Sequence, residues 1–251
     1  MKLYFELMKK PVFSLKDVLE LCRNNGSAKN NLTRLVADGY VSRIRKNLYS
    51  CISPETGNII GDKYQIASAI TETSFVSHHT AMEYYGVANQ VYYEVYVSSK
   101  TRFADFTYNG YNYKCVMTKN IANIEVPAMS KEVSISSIER TIVDSLKDMD
   151  KIAGIEEVIS NIEMMPIVNE QQILSVLAEY NNHFLYQKLG FILENYRNKF
   201  HLTDTFFDTC KSKMGKSKRY LTLDMKCDIW NNEWQLMVPG NLYSIKNGEQ
   251  I

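Results

Sequence analysis

The chain has 251 residues, 45% of them hydrophobic and 23% charged, which places it among ordinary globular proteins and excludes disordered, collagen-like and coiled-coil classes. At roughly 150 residues per domain this length predicts one or two domains, with enough chain to bury a core without disulfides or metals. The 29 basic and 28 acidic side chains leave +1, a balance that by itself selects neither a nucleic-acid nor a membrane partner.

The average conceals a division. Residues 1–53 hold ten basic side chains against four acidic ones, a net +6, so the remainder of the chain carries 19 against 24, a net −5. This pattern predicts a small basic module attached to a larger acidic body, and a basic module commonly takes an anionic partner. The five cysteines are odd in number, widely spaced and never in CxxC spacing, which argues against a disulfide framework and a structural zinc site. The opening MKLYFELMKKP has no continuous apolar stretch, and no uncharged apolar run approaches the roughly 18 residues that span a bilayer. The expectation is a cytoplasmic protein with no membrane partner.

In chain order, Leu3 and Leu7 share one face of a short helix that Pro11 stops, since proline cannot donate the next helical hydrogen bond. Ser14 followed by Asp17 reads as a capping box for a second helix carrying Leu15, Val18, Leu19 and Cys22. A third helix is predicted from Ser27 to Gly39, with Ala28, Leu32, Leu35 and Val36 inward. Its outer face holds Lys29, Asn30, Asn31, Thr33 and Arg34, long basic and amide groups suited to phosphates and base edges in a major groove. Tyr40–Cys51 then reads as a β-hairpin with a basic tip at Arg43, Arg45 and Lys46, and Asn47 as its left-handed turn residue. Three helices followed by a basic hairpin is the order of a winged helix-turn-helix. The domain boundary is placed at residue 57, after the turn-forming Ser53-Pro-Glu-Thr-Gly57, giving a DNA-binding domain over 1–57 and an α+β domain over 58–251.

Beyond it, helices are predicted over 62–71 and from Ser77 to Tyr85, the second closed by Gly86, around a brief strand at Ser74–Val76. Val91, Tyr93, Val95 and Val97 alternate with polar neighbours and predict a strand over 91–97. Phe103–Tyr108 and Tyr111–Met117 flank Asn109-Gly110, the strongest short hairpin signal. Ser136 and Glu139 predict a capping box for a helix carrying Ile138, Ile142, Val143 and Leu146. Helical patterns continue over 152–162, 170–180 and 184–196 and around Phe206, Phe207 and Cys210, and strand-like segments lie at 220–223 and 233–238. The fold class is therefore α+β: an amino-terminal winged helix-turn-helix followed by a larger mixed α/β carboxy-terminal domain.

Two stretches of the body, Ser77-His-His-Thr-Ala-Met-Glu-Tyr-Tyr-Gly86 and Ile135-Ser-Ser-Ile-Glu-Arg-Thr-Ile-Val-Asp144 followed by Gly154-Ile-Glu-Glu-Val158, resemble the AbiEi antitoxin family. With Trp234-Gln-Leu-Met-Val-Pro239 near the end, their order behind the basic module is similar to that family's layout over most of the chain. The resemblance implies an antitoxin of a bacterial abortive-infection toxin-antitoxin system that defends against bacteriophage. It implies an amino-terminal domain that represses the shared operon, and a carboxy-terminal domain that counteracts a nucleotidyltransferase-like toxin without requiring a stable complex. The family often has glycine at the wing position occupied here by Asn47.

Other constellations are read against their structural alternatives. His78 and His79 are adjacent, hence about 100° apart on a helix, and do not form an i, i+4 metal pair. Gly215-Lys216-Ser217 resembles the end of a P-loop, but Cys210 stands where the first glycine belongs. Lys211, Lys213, Lys216, Lys218 and Arg219 place five positive charges within nine residues without an acid, either a second anion-contacting surface for DNA or RNA or a solvated loop. Arg140 is expected to pair with Asp144 at i, i+4. No catalytic constellation or cofactor fingerprint is found, so neither an enzymatic activity nor a cofactor is expected. The leading reading is an antitoxin and autorepressor that binds double-stranded operator DNA. Its alternatives are an ordinary winged-helix regulator with a ligand- or protein-sensing body, and a DNA-acting enzyme with an unfamiliar motif.

Overall fold

The computed structural model describes residues 2–22, 24–130, 132–240 and 242–243, and shows a mixed α+β protein. The chain forms two compact units, each assembled from discontinuous segments. The first takes residues up to Val76, Tyr92–Ile121 and Glu125–Ile135; the second takes Ser77–Val91, Ala122–Ile124 and everything from Ser136 onward. The division therefore does not follow the boundary expected at residue 57: the hydrogen bonds Ser53 N to Asn58 O and Ile60 N to Cys51 O fold the expected linker back on the preceding strand.

The first unit begins with α1 (Lys2–Leu7), α2 (Leu15–Leu21) and α3 (Asn25–Ala37), followed by the antiparallel pair β1 (Val41–Arg45) and β2 (Leu48–Cys51). The expected capping box forms at α2: Asp17 N donates to the Ser14 hydroxyl, and the Asp17 carboxylate accepts from Ser14 N. The third helix starts earlier than expected, because Asn24 and not Ser27 caps it, its side-chain oxygen accepting from Ser27 N at 2.8 Å. Tyr4, Leu7, Phe13, Val18, Ala28, Leu32, Leu35, Val41 and Cys51 close a core among these elements. Asn47 has φ 63°, the left-handed conformation expected of it, and its side-chain oxygen accepts from Leu15 N at 3.0 Å, fixing the hairpin turn to the start of α2.

After α4 (Lys63–Ser68), whose N-cap Asp62 forms a capping box with Gln65, a six-stranded sheet is built from β3 (Phe75–Val76), β4 (Glu94–Ser99), β5 (Phe106–Tyr108), β6 (Tyr111–Met117), β7 (Ile124–Glu125) and β8 (Ile135–Ser136). Its order is β5-β6-β4-β3-β8-β7, with β4 parallel to β6 and antiparallel to β3. The Asn109-Gly110 hairpin forms with both residues at positive φ, 48° and 80°, setting Tyr108 opposite Tyr111. The strand expected over 91–97 is displaced to Glu94–Ser99. Val91 and Tyr93 are 73% and 69% exposed, so the alternation that suggested a buried face includes two side chains outside the strand.

The second unit contains α5 (His78–Tyr84), α6 (Ile138–Lys147), a 3-10 turn at Met149–Ile152, α7 (Ile155–Met164), α8 (Glu170–Tyr180), α9 (His183–Glu194), α10 (Arg197–Phe200) and α11 (Asp204–Lys213). A small sheet orders β9 (Arg219–Tyr220), β10 (Ile229–Asn231) and β11 (Leu236–Val238) as β10-β11-β9. The capping residue of α6 is Ser137 and not Ser136: its hydroxyl accepts from Arg140 N, while Glu139 turns away to accept from Asn169 N at 2.9 Å. Leu185–Leu193 is buried without interruption, so α9 has no solvent stripe and passes through the core. Gly190 makes that possible. A Cβ there would stand 2.1 Å from Cζ3 of buried Trp234, whose indole nitrogen donates to Glu194 at 2.8 Å.

Candidate nucleic-acid interface

On α3 the inward positions Ala28, Leu32 and Leu35 are buried, which by helical spacing turns Lys29, Asn30, Thr33 and Arg34 to solvent. Asn31 is half-buried, and its amide donates to the Ser27 hydroxyl at 3.3 Å. The hairpin brings Arg43 to the same side. Lys29, Thr33 and Arg43 line one groove of about 400 Å³ whose floor is Leu15, Leu32, Val36 and Tyr49. Lys46 is exposed at the hairpin turn. Among the described residues Lys29, Arg34, Arg43 and Lys46 have no carboxylate within 4 Å, whereas Lys9 pairs with Glu6 at 2.7 Å and Lys10 pairs with Asp17.

Arg45 departs from the expected set. Its guanidinium lies 4.8 Å from the centre of the Phe106 ring and 5.5 Å from that of Phe103, and its Nη1 is buried without a hydrogen-bond partner. The β-bulge between Arg43 and Arg45 shifts the strand register there, and the side chain covers the β5 aromatics in place of reaching outward. Sequence spacing did not reveal this because the rings are about sixty residues away. A second tie that spacing could not disclose is the hydrogen bond from Tyr108 to the Ser42 hydroxyl, 2.7 Å, which joins β5 to β1.

Of the five cations offered as a second patch, Lys218 and Arg219 line one cleft, and Lys211, Lys213 and Lys216 are not among its lining residues. Lys211 pairs with Glu233, which returns from the turn before β11 and holds the ammonium above the usual lysine value through their hydrogen bond. Lys213 lies over the Tyr186 ring at 5.9 Å, Lys218 over Trp230 at 5.4 Å and Arg219 over Phe184 at 5.7 Å; Lys216 is exposed.

His78 and His79 are buried, whereas His183 and His201 are exposed. His78, at φ 54°, places Nδ1 2.9 Å from the Ser77 hydroxyl and Nε2 3.2 Å from the Asp148 carboxylate. Burial alone pushes the Asp148 carboxyl up, but hydrogen bonds from His78 and Lys147 and their charges hold it well below the usual carboxylate range. On α6 the expected Arg140–Asp144 pair forms at 3.2 Å, with both side chains buried. Arg140 also donates to the Ala122 carbonyl at 2.6 Å, and the Tyr180 hydroxyl donates to Asp144. Burial and the Asp144 charge raise the Tyr180 phenol above its ordinary value. These groups form a structural network in the second unit.

No family model and no curated protein matches the sequence. A similar fold is found in the crystal structure of the RV2827C protein from Mycobacterium tuberculosis, which aligns over 97% of this chain and 93% of that one with a TM-score of 0.60. At 12% identity this likeness concerns the fold alone. No helix among the described residues is long and apolar enough to cross a membrane.

Proposed function

We propose that this protein is a DNA-binding antitoxin whose first three helices and hairpin act as a winged helix-turn-helix. In this reading α3 enters the major groove, the β1–β2 turn is the wing, and the protein represses its own operon while its second unit counteracts a nucleotidyltransferase-like toxin. One observation carries the DNA-binding part: an exposed helix face and an adjoining hairpin present Lys29, Arg34, Arg43 and Lys46 without acidic partners. Asn30 and Arg34 are the residues assigned to base edges, since an amide can form paired bonds to adenine and a guanidinium to guanine. Lys29, Arg43 and Lys46 are assigned to phosphates and Thr33 to either, and the five-donor guanidinium of Arg34 is assigned to a neighbouring phosphate as well as to a base edge. Asn31 is assigned a supporting part through Ser27, and Arg45 holds the wing against the sheet. The antitoxin part rests on the resemblance of the 77–86 and 135–158 stretches to the AbiEi family, and it invokes neither catalysis nor a cofactor.

Growth of cells expressing the adjacent gene tests both parts. The gene is expressed alone, with the full chain, and with the full chain carrying Arg34→Ala and Arg43→Ala. A fragment starting at residue 58 is unsuitable, because residues 58–76 belong to the first compact unit. Rescue by both forms, with repression of an operon reporter lost only in the variant, is the expected outcome. Absence of toxicity from the adjacent gene refutes the antitoxin reading, and full repression by the double variant refutes the interface.

A further inference from the structure

The second unit contains a cleft of about 440 Å³ that the proposed DNA-binding and antitoxin roles do not use. Its polar wall combines Lys147 from the last turn of α6, Lys188 from α9, and Lys218 and Arg219 at the start of β9. Phe184, one helical turn before Lys188, forms the centre of that wall. The Lys188 ammonium lies 4.7 Å from the centre of the Phe184 ring and the Arg219 guanidinium 5.7 Å from it.

The charges are unequally answered. Lys147 is paired with Asp148 at 2.7 Å; of the two lining carboxylates, Asp150 is paired with Lys151 at 3.2 Å and Asp224 accepts from the Thr222 hydroxyl at 3.4 Å, leaving the four lining cations in excess of the acids. Among the described residues Lys188, Lys218 and Arg219 have no carboxylate within 4 Å, and Lys188 donates only weakly, at 3.4 Å, to the Leu146 carbonyl. Lys188 is nine-tenths buried. Burial pushes its ammonium below the usual lysine value, with Asp148 and Asp224 acting in the opposite direction from longer range. An anion in the cleft would relieve that penalty, because it supplies a close counter-charge where water is excluded.

The mouth has a different character. Tyr220 and Leu223 also line the cleft, and they are 53% and 93% exposed. One buried ammonium and two exposed cations, with an aromatic and an aliphatic side chain beside them, suit a molecule with a phosphorylated end and a flat, weakly polar end. The volume is within the range of small-molecule sites, about 300–1,000 Å³, and greatly exceeds that of a phosphate ion. A duplex backbone could not bring a phosphate to an ammonium as buried as that of Lys188.

We propose that this cleft binds a nucleoside polyphosphate, with Lys188, Lys218 and Arg219 holding the phosphates and Tyr220 stacking on the base. The proposal stands independently of the DNA-binding reading, because every residue it uses lies in the second unit.

The test is calorimetric titration of the full chain with each of the four ribonucleoside triphosphates, with inorganic tripolyphosphate, and with an oligothymidylate. At least one triphosphate is expected to bind with a dissociation constant of about 100 μM or below, and about tenfold more tightly than tripolyphosphate. Arg219→Gln and Lys218→Gln, both at exposed positions, should each weaken it by about tenfold, the expected loss of one charge-assisted hydrogen bond, without changing the unfolding temperature. Tyr220→Ala should weaken nucleotide binding and leave tripolyphosphate unaffected. Lys216→Gln, outside the cleft lining, should change nothing. The proposal is overturned if no triphosphate binds at millimolar concentration, or if Arg219→Gln binds as tightly as the parent. It is equally overturned if tripolyphosphate or the oligothymidylate binds as tightly as the best nucleotide.

Discussion

Replacing Lys46 with glutamine removes one of the four exposed cations of the proposed interface, the others being Lys29, Arg34 and Arg43, none of which has a carboxylate within 4 Å among the described residues. Each phosphate neutralised contributes about −0.9 to the slope of log affinity on log salt, so four contacts give about −3.6 per bound protomer and the variant about −2.7. The sequence alone would count five cations and give about −4.5. Arg45 is the difference, because its guanidinium lies over Phe106 and Phe103. Raising salt fourfold should therefore weaken the parent by roughly 150-fold and Lys46→Gln by roughly 40-fold. Fluorescence anisotropy with a labelled duplex from upstream of the gene, titrated across a salt series, measures both slopes. Arg45→Met should retain the parent slope while losing a ring contact worth about 0.5–2 kcal/mol of stability. An Arg45→Met slope reduced as far as that of Lys46→Gln would refute the assignment of Arg45, and a parent slope near zero would refute the whole face.

Three further outcomes concern stability and reactivity. Because the Asp148 carboxyl is held low in the folded state, its stabilisation is present above its unfolded value, roughly pH 4, and is lost as pH falls below it. Asp148→Asn should flatten that acid limb in urea melts collected across pH, and an unchanged limb would contradict the placement of His78 and Lys147 around it. Gly190→Ala drives a methyl into the Trp234 ring and should cost at least about 1–3 kcal/mol, the usual range for overpacking, as read from denaturant midpoints. Burial pushes the Cys51 and Cys210 thiols up to about 12, so a disulfide reagent should label both only upon unfolding, and rapid labelling of either in the native protein would contradict its burial.

What could be read in advance was local. The Ser14–Asp17 capping box, the Asn109-Gly110 hairpin, the left-handed Asn47 and the Arg140–Asp144 pair all depend on residues within four positions of one another, and each forms. What was missed depends on distant partners. Adjacent serines 136 and 137 offer equivalent caps in sequence, and only the hydrogen bond between the Ser136 and Thr141 hydroxyls, 2.8 Å, shows that one of them is already engaged. The run from Lys211 to Arg219 looked free of acid because Glu233 lies beyond it in sequence. The cleft of the second unit was invisible for the same reason, since its cations come from α6, α9 and β9. Its local traces were Phe184 and Lys188, four residues apart on one helix, and Lys218 and Arg219 within the basic run.

The interleaved path of the chain also orders events during synthesis. The core of α1, α2, α3, β1 and β2 uses only residues 4–51, so it can close while most of the polypeptide is still unmade. The central sheet cannot. Strand β3 must wait for β4 some twenty residues later and for Ile135 of β8 some sixty later, and the intervening chain enters the second unit before returning. Until Ile135 leaves the ribosome, β3 presents an open hydrogen-bonding edge, while the basic helix–hairpin module next to it already has its native core.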